Sequence, residues 1–456
     1  MRPNPFPMST DSDWLPWTES SAPCQTGFRR AAGDFLLGPL DLPSAIETRK
    51  KQLPAVRGDA PLAIWMANSP EMVLTMLAAW ADGRVVAPVG FRWPLERAVA
   101  LADSLGASHL ATANGFLELR RQATPGLPEG AGTVLFTSGS SGFPKAVYHS
   151  LGHHLASARA ASERIPLKPG DGWLLSLPLH HVSGLGILMR CLCAGADIVF
   201  PDSVKWGSAS LEASTHLSLV SVQLRRLLED GTPLCGLKAV LGGGGPFDRE
   251  IIRRAVAARV PLHLTYGMTE TASQIATTAV LKQVSDPLHS GHPLPGVELR
   301  CGPDGILQCR APGLSPLVRG GDGIFRNPAR NDGWFATGDT GFLTPAGEVV
   351  VTGRRDRLMI SGGENIQPEF LERLLQEHPL VRRAAVVAVP HPAFGERPVA
   401  FVSGGADVAE LKNFLSSRCE PFAIPDEILP WPDGIDEGAP KLDFPLLARL
   451  ARMTIL

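Results

Sequence analysis

Along the first two-thirds of the chain, apolar runs of strand length alternate with helical patterns, and strands of that kind are buried by helices packed on both sheet faces. "PLAIWMA" from Pro61 reads as a buried strand. "NSPEMVLTMLAAWADG" after it reads as a helix, with Ser69 as cap, Pro70 in the first turn, Glu71 near the positive end and Gly83 at the stop. "VVAPV" from Val85, the helical "WPLERAVALADSLG" and the apolar "HLATA" repeat the alternation, and "GTVLF", "DGWLLSLPL", "GADIVF", "LSLV" and "LKAVLGGGG" extend it. The expected fold class is α/β, built on mostly parallel, helix-covered sheets. At 456 residues the chain exceeds what one core usually serves, so two or three domains are expected. The texture changes near Gly353. "GEVVVTGRRDRLMISGGENIQPEFLERLLQEHP" runs from strand through a charged turn to a helix opened by Pro368, with Phe370, Leu371, Leu374 and Leu375 as its apolar stripe. "AAVVAVP" and "PVAFVSG" read as short strands. The expected division is a large domain over residues 1–354 and a small α+β domain over residues 355–456.

Charge excludes some functions. Lys plus Arg number 43 and Asp plus Glu 45, with no block of one sign, so nothing points to nucleic acid. The longest apolar run, from Val182, is interrupted by glycines, Arg190 and Asp197, which argues against membrane insertion. No signal-like segment opens the chain and the seven cysteines are scattered, so a reduced, cytoplasmic protein is expected.

The stretch "TSGSSGFPKAV", Thr137 to Val147, concentrates donors at the end of a strand. Gly139 and Gly142 let successive N–H groups turn inward, Thr137, Ser138, Ser140 and Ser141 add hydroxyls, and Lys145 adds a cation. Such a loop suits a polyphosphate. It is not a Walker A motif, since Phe143 and Pro144 separate the last glycine from the lysine.

This loop resembles the phosphate loop of the adenylate-forming superfamily, which includes acyl-CoA synthetases, peptide-synthetase adenylation domains and beetle luciferases. Further segments follow in that family's order. "TYGMTET" from Thr265 is similar to the segment in which Tyr266 and Gly267 lie by adenine, Thr269 meets phosphate and Glu270 holds magnesium. "LGGGGP" from Leu241 resembles the turn along the adenine plane, here Gly243 and Gly244. "WFATGDTG" places Asp339 at the ribose, and "GRRDR" makes Arg354 a nucleotide contact and Asp356 a hinge. The resemblance covers residues 62 to 441 and implies ATP, Mg2+ and coenzyme A, a swinging C-terminal domain, and homodimerisation as a reasonable assembly. The chemistry is coherent: attack of a carboxylate on the α-phosphate of ATP makes a mixed anhydride, and fixed donors must bring the two anions together.

By the same resemblance Lys441, in "EGAPKLDFPLL", serves adenylation, although Pro440 stands where a glycine is usual and Phe444 where a basic residue is usual. Gly362 and Gly363 would leave room for the pantetheine arm, and His181 would wall or gate the acyl site. Arg190 sits on a run that hydropathy buries, so it needs an anionic or carbonyl partner from the protein or from the substrate. "PLHHVSGLGILMRCL", "THLSLVSVQLRRLLED" and "ISGGENIQP" resemble the o-succinylbenzoate–CoA ligases of menaquinone synthesis, in which an arginine here faces the second carboxylate of the acid. Ser183 and Ser218 would assist it. Two other readings stay open: an acyl- or aryl-CoA ligase of other specificity, or a carrier-loading enzyme; and a non-catalytic nucleotide-binding regulator.

Overall fold

A computed structural model describes residues 25–30, 34–55, 60–119, 127–137, 144–201, 208–320, 322–330, 332–439 and 442–455. The alternation of strands and helices closes into two large sheets. One has nine strands in the order His292–Pro293, Ser273–Thr277, Leu262–Met268, Ala239–Gly242, His216–Leu219, Gly172–Leu174, Asp197–Phe200, Phe28–Arg30 and Phe35–Leu37. Its six middle strands run parallel, while Ser273–Thr277 and His292–Pro293 extend it antiparallel. The other has eight strands, with Thr133–Thr137, Val86–Pro88, Leu62–Trp65 and His109–Thr112 parallel at its centre.

Local chemistry accounts for the helices between them. Ser69 Oγ accepts from Met72 N at 3.1 Å and caps helix Pro70–Ala81. Helix Val182–Ala194 is buried on nearly all sides after its first residues, and Gly195 ends it in the left-handed region at φ 68°. Both helices join Leu62 and Ile64 of the eight-stranded sheet and Trp173 of the nine-stranded sheet in one apolar core. The two sheets are therefore held through a shared layer, and their strand ends are fixed relative to one another.

A third sheet was not foreseen. Glu298–Cys301, Ile306–Arg310, Phe335–Leu343 and Val349–Arg354 form four antiparallel strands. The strand "FATGDTGFL" is rich in glycine and polar residues and does not alternate. Gly341 is required there, because a Cβ would lie 2.2 Å from Val350 O.

From Met359 onward the chain forms its own sheet, in the order Glu364–Ile366, Met359–Ser361, Gly395–Gly404 and Val381–His391, with Glu427–Pro430 parallel to Gly395–Gly404. Met359, Leu371, Leu375 and Leu411 cover one face, and Phe401, Leu447 and Ala451 the other. Two expectations need correction. The segments expected as short strands make an 11-residue and a 10-residue strand paired along their length. Phe370 is 40% exposed rather than part of the apolar stripe, and Leu371 and Leu375 carry the packing of helix Pro368–Gln376. The early residues join the large domain: Phe28 is buried in the main core and its strand pairs with Asp197–Phe200.

Candidate active site

Thr137 ends one arm of an antiparallel hairpin, directly opposite Lys145 on the other arm. The intervening Ser138, Gly139, Ser140, Ser141 and Gly142 lie outside the described residues. Next to this hairpin, His149 Nε2–H donates to Thr269 O at 2.8 Å and Ser315 N donates to Glu270 O at 2.7 Å. These two bonds hold the carbonyls of the 3-10 turn Thr269–Thr271, tying the magnesium candidate Glu270 to the strand that leaves the phosphate loop. His149 and its neighbour His154 are fully buried with ring centroids 4.9 Å apart. Burial pushes His149 down to about 3, with like-charge repulsion from His153 adding to it, so the ring is neutral at pH 7.

The adenine candidates meet where two parallel strands end. A Cβ on Gly243 would lie 2.7 Å from Thr265 Cγ2, so any other residue would have to displace the Thr265 side chain. Tyr266 is buried, and its hydroxyl donates to Asp339 Oδ2 at 2.6 Å. Arg354 Nη1 donates to the other oxygen, Asp339 Oδ1, at 3.1 Å, while Arg354 Nη2 pairs with Asp356 Oδ2 at 3.0 Å. Burial raises the Asp339 carboxyl, while Tyr266 and Arg354 oppose that rise. Tyr266, Asp339, Arg354 and Asp356 thus form one continuous chain, although they come from three different segments.

Past Tyr266 the backbone is forced into an unusual course. A Cβ on Gly267 would sit 2.0 Å from Ser273 O, and the non-glycine residues Ala272 and Ser273 adopt φ 55° and φ 130°. The outcome is that Gln274, buried on strand Ser273–Thr277, accepts from Arg190 Nη1 at 2.7 Å. Arg190 is 2% exposed, and its Cζ lies 4.4 Å from the centre of the Trp173 ring. No carboxylate pairs with it among the described residues. Burial lowers its guanidinium to about 10, which leaves it fully charged at neutral pH. Gln274 and Trp173 escaped the sequence reading. The signal was a lone amide in the apolar strand "SQIAT", but nothing local shows that it meets Arg190.

The other candidates divide. Ser218 is buried, and its Oγ accepts from Trp173 Nε1 at 3.1 Å, so it supports the wall behind Arg190. Ser183 is half-buried in the first turn of Arg190's helix, and His181 is exposed at that helix's N-cap. His180 is the more buried of the two histidines; its ring lies 6.4 Å from Trp93, and burial pushes it down to about 3. Gly362 and Gly363 form a turn with φ 61° and 91° that faces solvent rather than the nucleotide residues. Lys441 and Pro440 lie outside the described residues, but Gly438 just before them faces Val222, 3.8 Å from where its Cβ would be.

Magnesium suits this arrangement. Glu270 is half-buried and takes no part in any ion pair among the described residues. Among those residues no group of three His, Cys, Asp or Glu could hold a metal by itself, so an ion here would share Glu270 with phosphate oxygens. No helix among the described residues is long and apolar enough to cross a membrane.

Gly243, the Tyr266–Asp339 pair and the Thr137–Lys145 hairpin are the positions an AMP-forming, carboxylate-activating ligase would use for its nucleotide. The chain belongs to the AMP-binding enzyme family: residues 112–305 match it, and residues 371–436 match the AMP-binding enzyme C-terminal domain. It is similar to 2-succinylbenzoate–CoA ligase of Salmonella typhimurium, with 36% identity over 394 residues covering 82% of this chain and 84% of that protein. Among solved structures it resembles o-succinylbenzoate CoA synthetase (MenE) from Bacillus subtilis in complex with the acyl-adenylate intermediate OSB-AMP. The TM-score is 0.82 and the identity 25%, covering 94% of this chain and 96% of that one. The same synthetase in complex with ATP and magnesium ion gives a TM-score of 0.81 at 25% identity, covering 94% and 97%.

Proposed function

We infer that the protein is an AMP-forming acid–thiol ligase that activates o-succinylbenzoate with ATP and transfers it to coenzyme A. An oxygen of the succinyl carboxylate attacks the α-phosphorus of ATP, and pyrophosphate leaves. The thiol of coenzyme A then attacks the acyl carbon of the adenylate and AMP leaves, giving o-succinylbenzoyl-CoA. The reading rests chiefly on Arg190: a buried, charged guanidinium beside the nucleotide residues, met by a neutral amide and, among the described residues, by no carboxylate. A substrate with a second carboxylate supplies the missing anion, and burial strengthens that pairing.

The nucleotide roles follow the same logic. Tyr266, Gly243 and Gly244 line adenine, Asp339 accepts from ribose hydroxyls, and Thr137, Lys145, Thr269 and the 138–143 loop hold phosphates. Bound magnesium neutralises phosphate charge during the displacement, with Glu270 as its protein ligand. Lys441 bridges carboxylate and α-phosphate. Residues 355–456 swing about Asp356 between the half-reactions, which brings the Gly362–Gly363 turn to the thiol.

A panel of acids tests this, with pyrophosphate release measured with and without coenzyme A and the thioester identified by mass. o-Succinylbenzoate is expected to give its CoA thioester, and benzoate and fatty acids none. Pyrophosphate release with another acid but not with o-succinylbenzoate would overturn the assignment.

A further inference from the structure

Arg190 is held by groups that carry no charge. Gln274 presents its carbonyl oxygen to Nη1 at 2.7 Å, and its amide nitrogen is anchored on the far side by Thr277 Oγ1 at 2.9 Å and Thr265 Oγ1 at 3.2 Å. Because a guanidinium can only donate, the amide oxygen must face the arginine, and the two threonine hydroxyls hold the nitrogen end. On another side lies Trp173, which is fully buried, bonded through Nε1 to Ser218 and stacked on His216 with centroids 5.0 Å apart at 29°. Arg190 Nε has no hydrogen-bond partner among the described residues. One turn back on the helix, Gly186 keeps space beside the guanidinium: a Cβ there would lie 3.3 Å from Nη1.

A buried arginine is ordinarily neutralised by an acid of the protein, and such a pair would have to be broken before a substrate anion could use the charge. Glutamate has the same length and shape as glutamine and would make that pair at this position. We propose that Gln274, resting on the o-succinylbenzoate reading above, is a specificity-determining positioning residue: it aims the Arg190 guanidinium and leaves its charge for the ring carboxylate of the acid. Trp173 completes the cradle, its π face steadying the cation without competing for it.

The test compares kcat/KM for o-succinylbenzoate and for 4-oxo-4-phenylbutanoate, the same acid without the ring carboxylate, in wild type, Gln274→Glu and Gln274→Met. Thermal melts confirm folding, and KM for ATP is measured alongside. In Gln274→Glu the preference for o-succinylbenzoate is expected to fall at least tenfold, through its KM, with KM for ATP within twofold of wild type. Gln274→Met, which loosens the guanidinium without neutralising it, should fall by a smaller factor. A preference within twofold of wild type in both folded variants, or an equal loss for the two acids, overturns the proposal while leaving the substrate reading intact. A wild-type enzyme that prefers neither acid overturns the substrate reading, and this proposal with it.

Discussion

His149 shows how one residue serves site and stability together. Its Nε2–H secures the carbonyl of Thr269, while its Nδ1 has no partner and burial keeps the ring neutral. Because its folded-state pKa is about 3, below the unfolded value near 6.5, the unfolded chain binds the proton first on acidification. The stability it confers is complete above pH 6.5 and is lost as pH falls toward 3, with a slope of about 1.4 kcal/mol per pH unit. His153 and His216, each pushed down to about 4 by burial, act in the same direction. Chemical denaturation of wild type and His149→Gln between pH 4 and 7 should show a shallower loss in the variant. Identical slopes would mean that His149 is not the neutral buried group described.

At the scale of elements, the turn between strands Met359–Ser361 and Glu364–Ile366 carries the second half-reaction in this reading. Gly363 has φ 91° and open space around its Cβ position, so a side chain there strains the turn and would obstruct a thiol arm rather than the fold's interior. Gly363→Leu is expected to lower thioester formation from preformed adenylate more than tenfold and to leave adenylate formation within about threefold. Equal losses in the two separate assays would remove the turn from the thiol step. The parallel strands and the cap at Ser69 were legible in the sequence because apolar runs and capping chemistry are local. The glycine loops were legible because their order matches a family. The third sheet was hidden by the glycines of "FATGDTGFL". The bond between Arg190 and Gln274 joins residues 84 apart, and no local pattern encodes it.

The whole molecule sets the nucleotide and acid sites against each other. Two large sheets share one core, which carries helix Val182–Ala194 with Arg190 beside the strand of Gln274 and so close to the Tyr266–Asp339 pair. In this reading Tyr266, at the nucleotide, and Gln274, behind the acid's arginine, sit on the two arms of one hairpin, Leu262–Met268 and Ser273–Thr277. The most direct measurement is kcat/KM of Arg190→Ala for o-succinylbenzoate and for 4-oxo-4-phenylbutanoate at saturating ATP. Losing the charged partner of a buried carboxylate costs about 3 kcal/mol or more, so o-succinylbenzoate should lose about 100-fold or more while the acid without a ring carboxylate changes by less than threefold. An equal loss for both acids would contradict the claim that this arginine reads a second carboxylate.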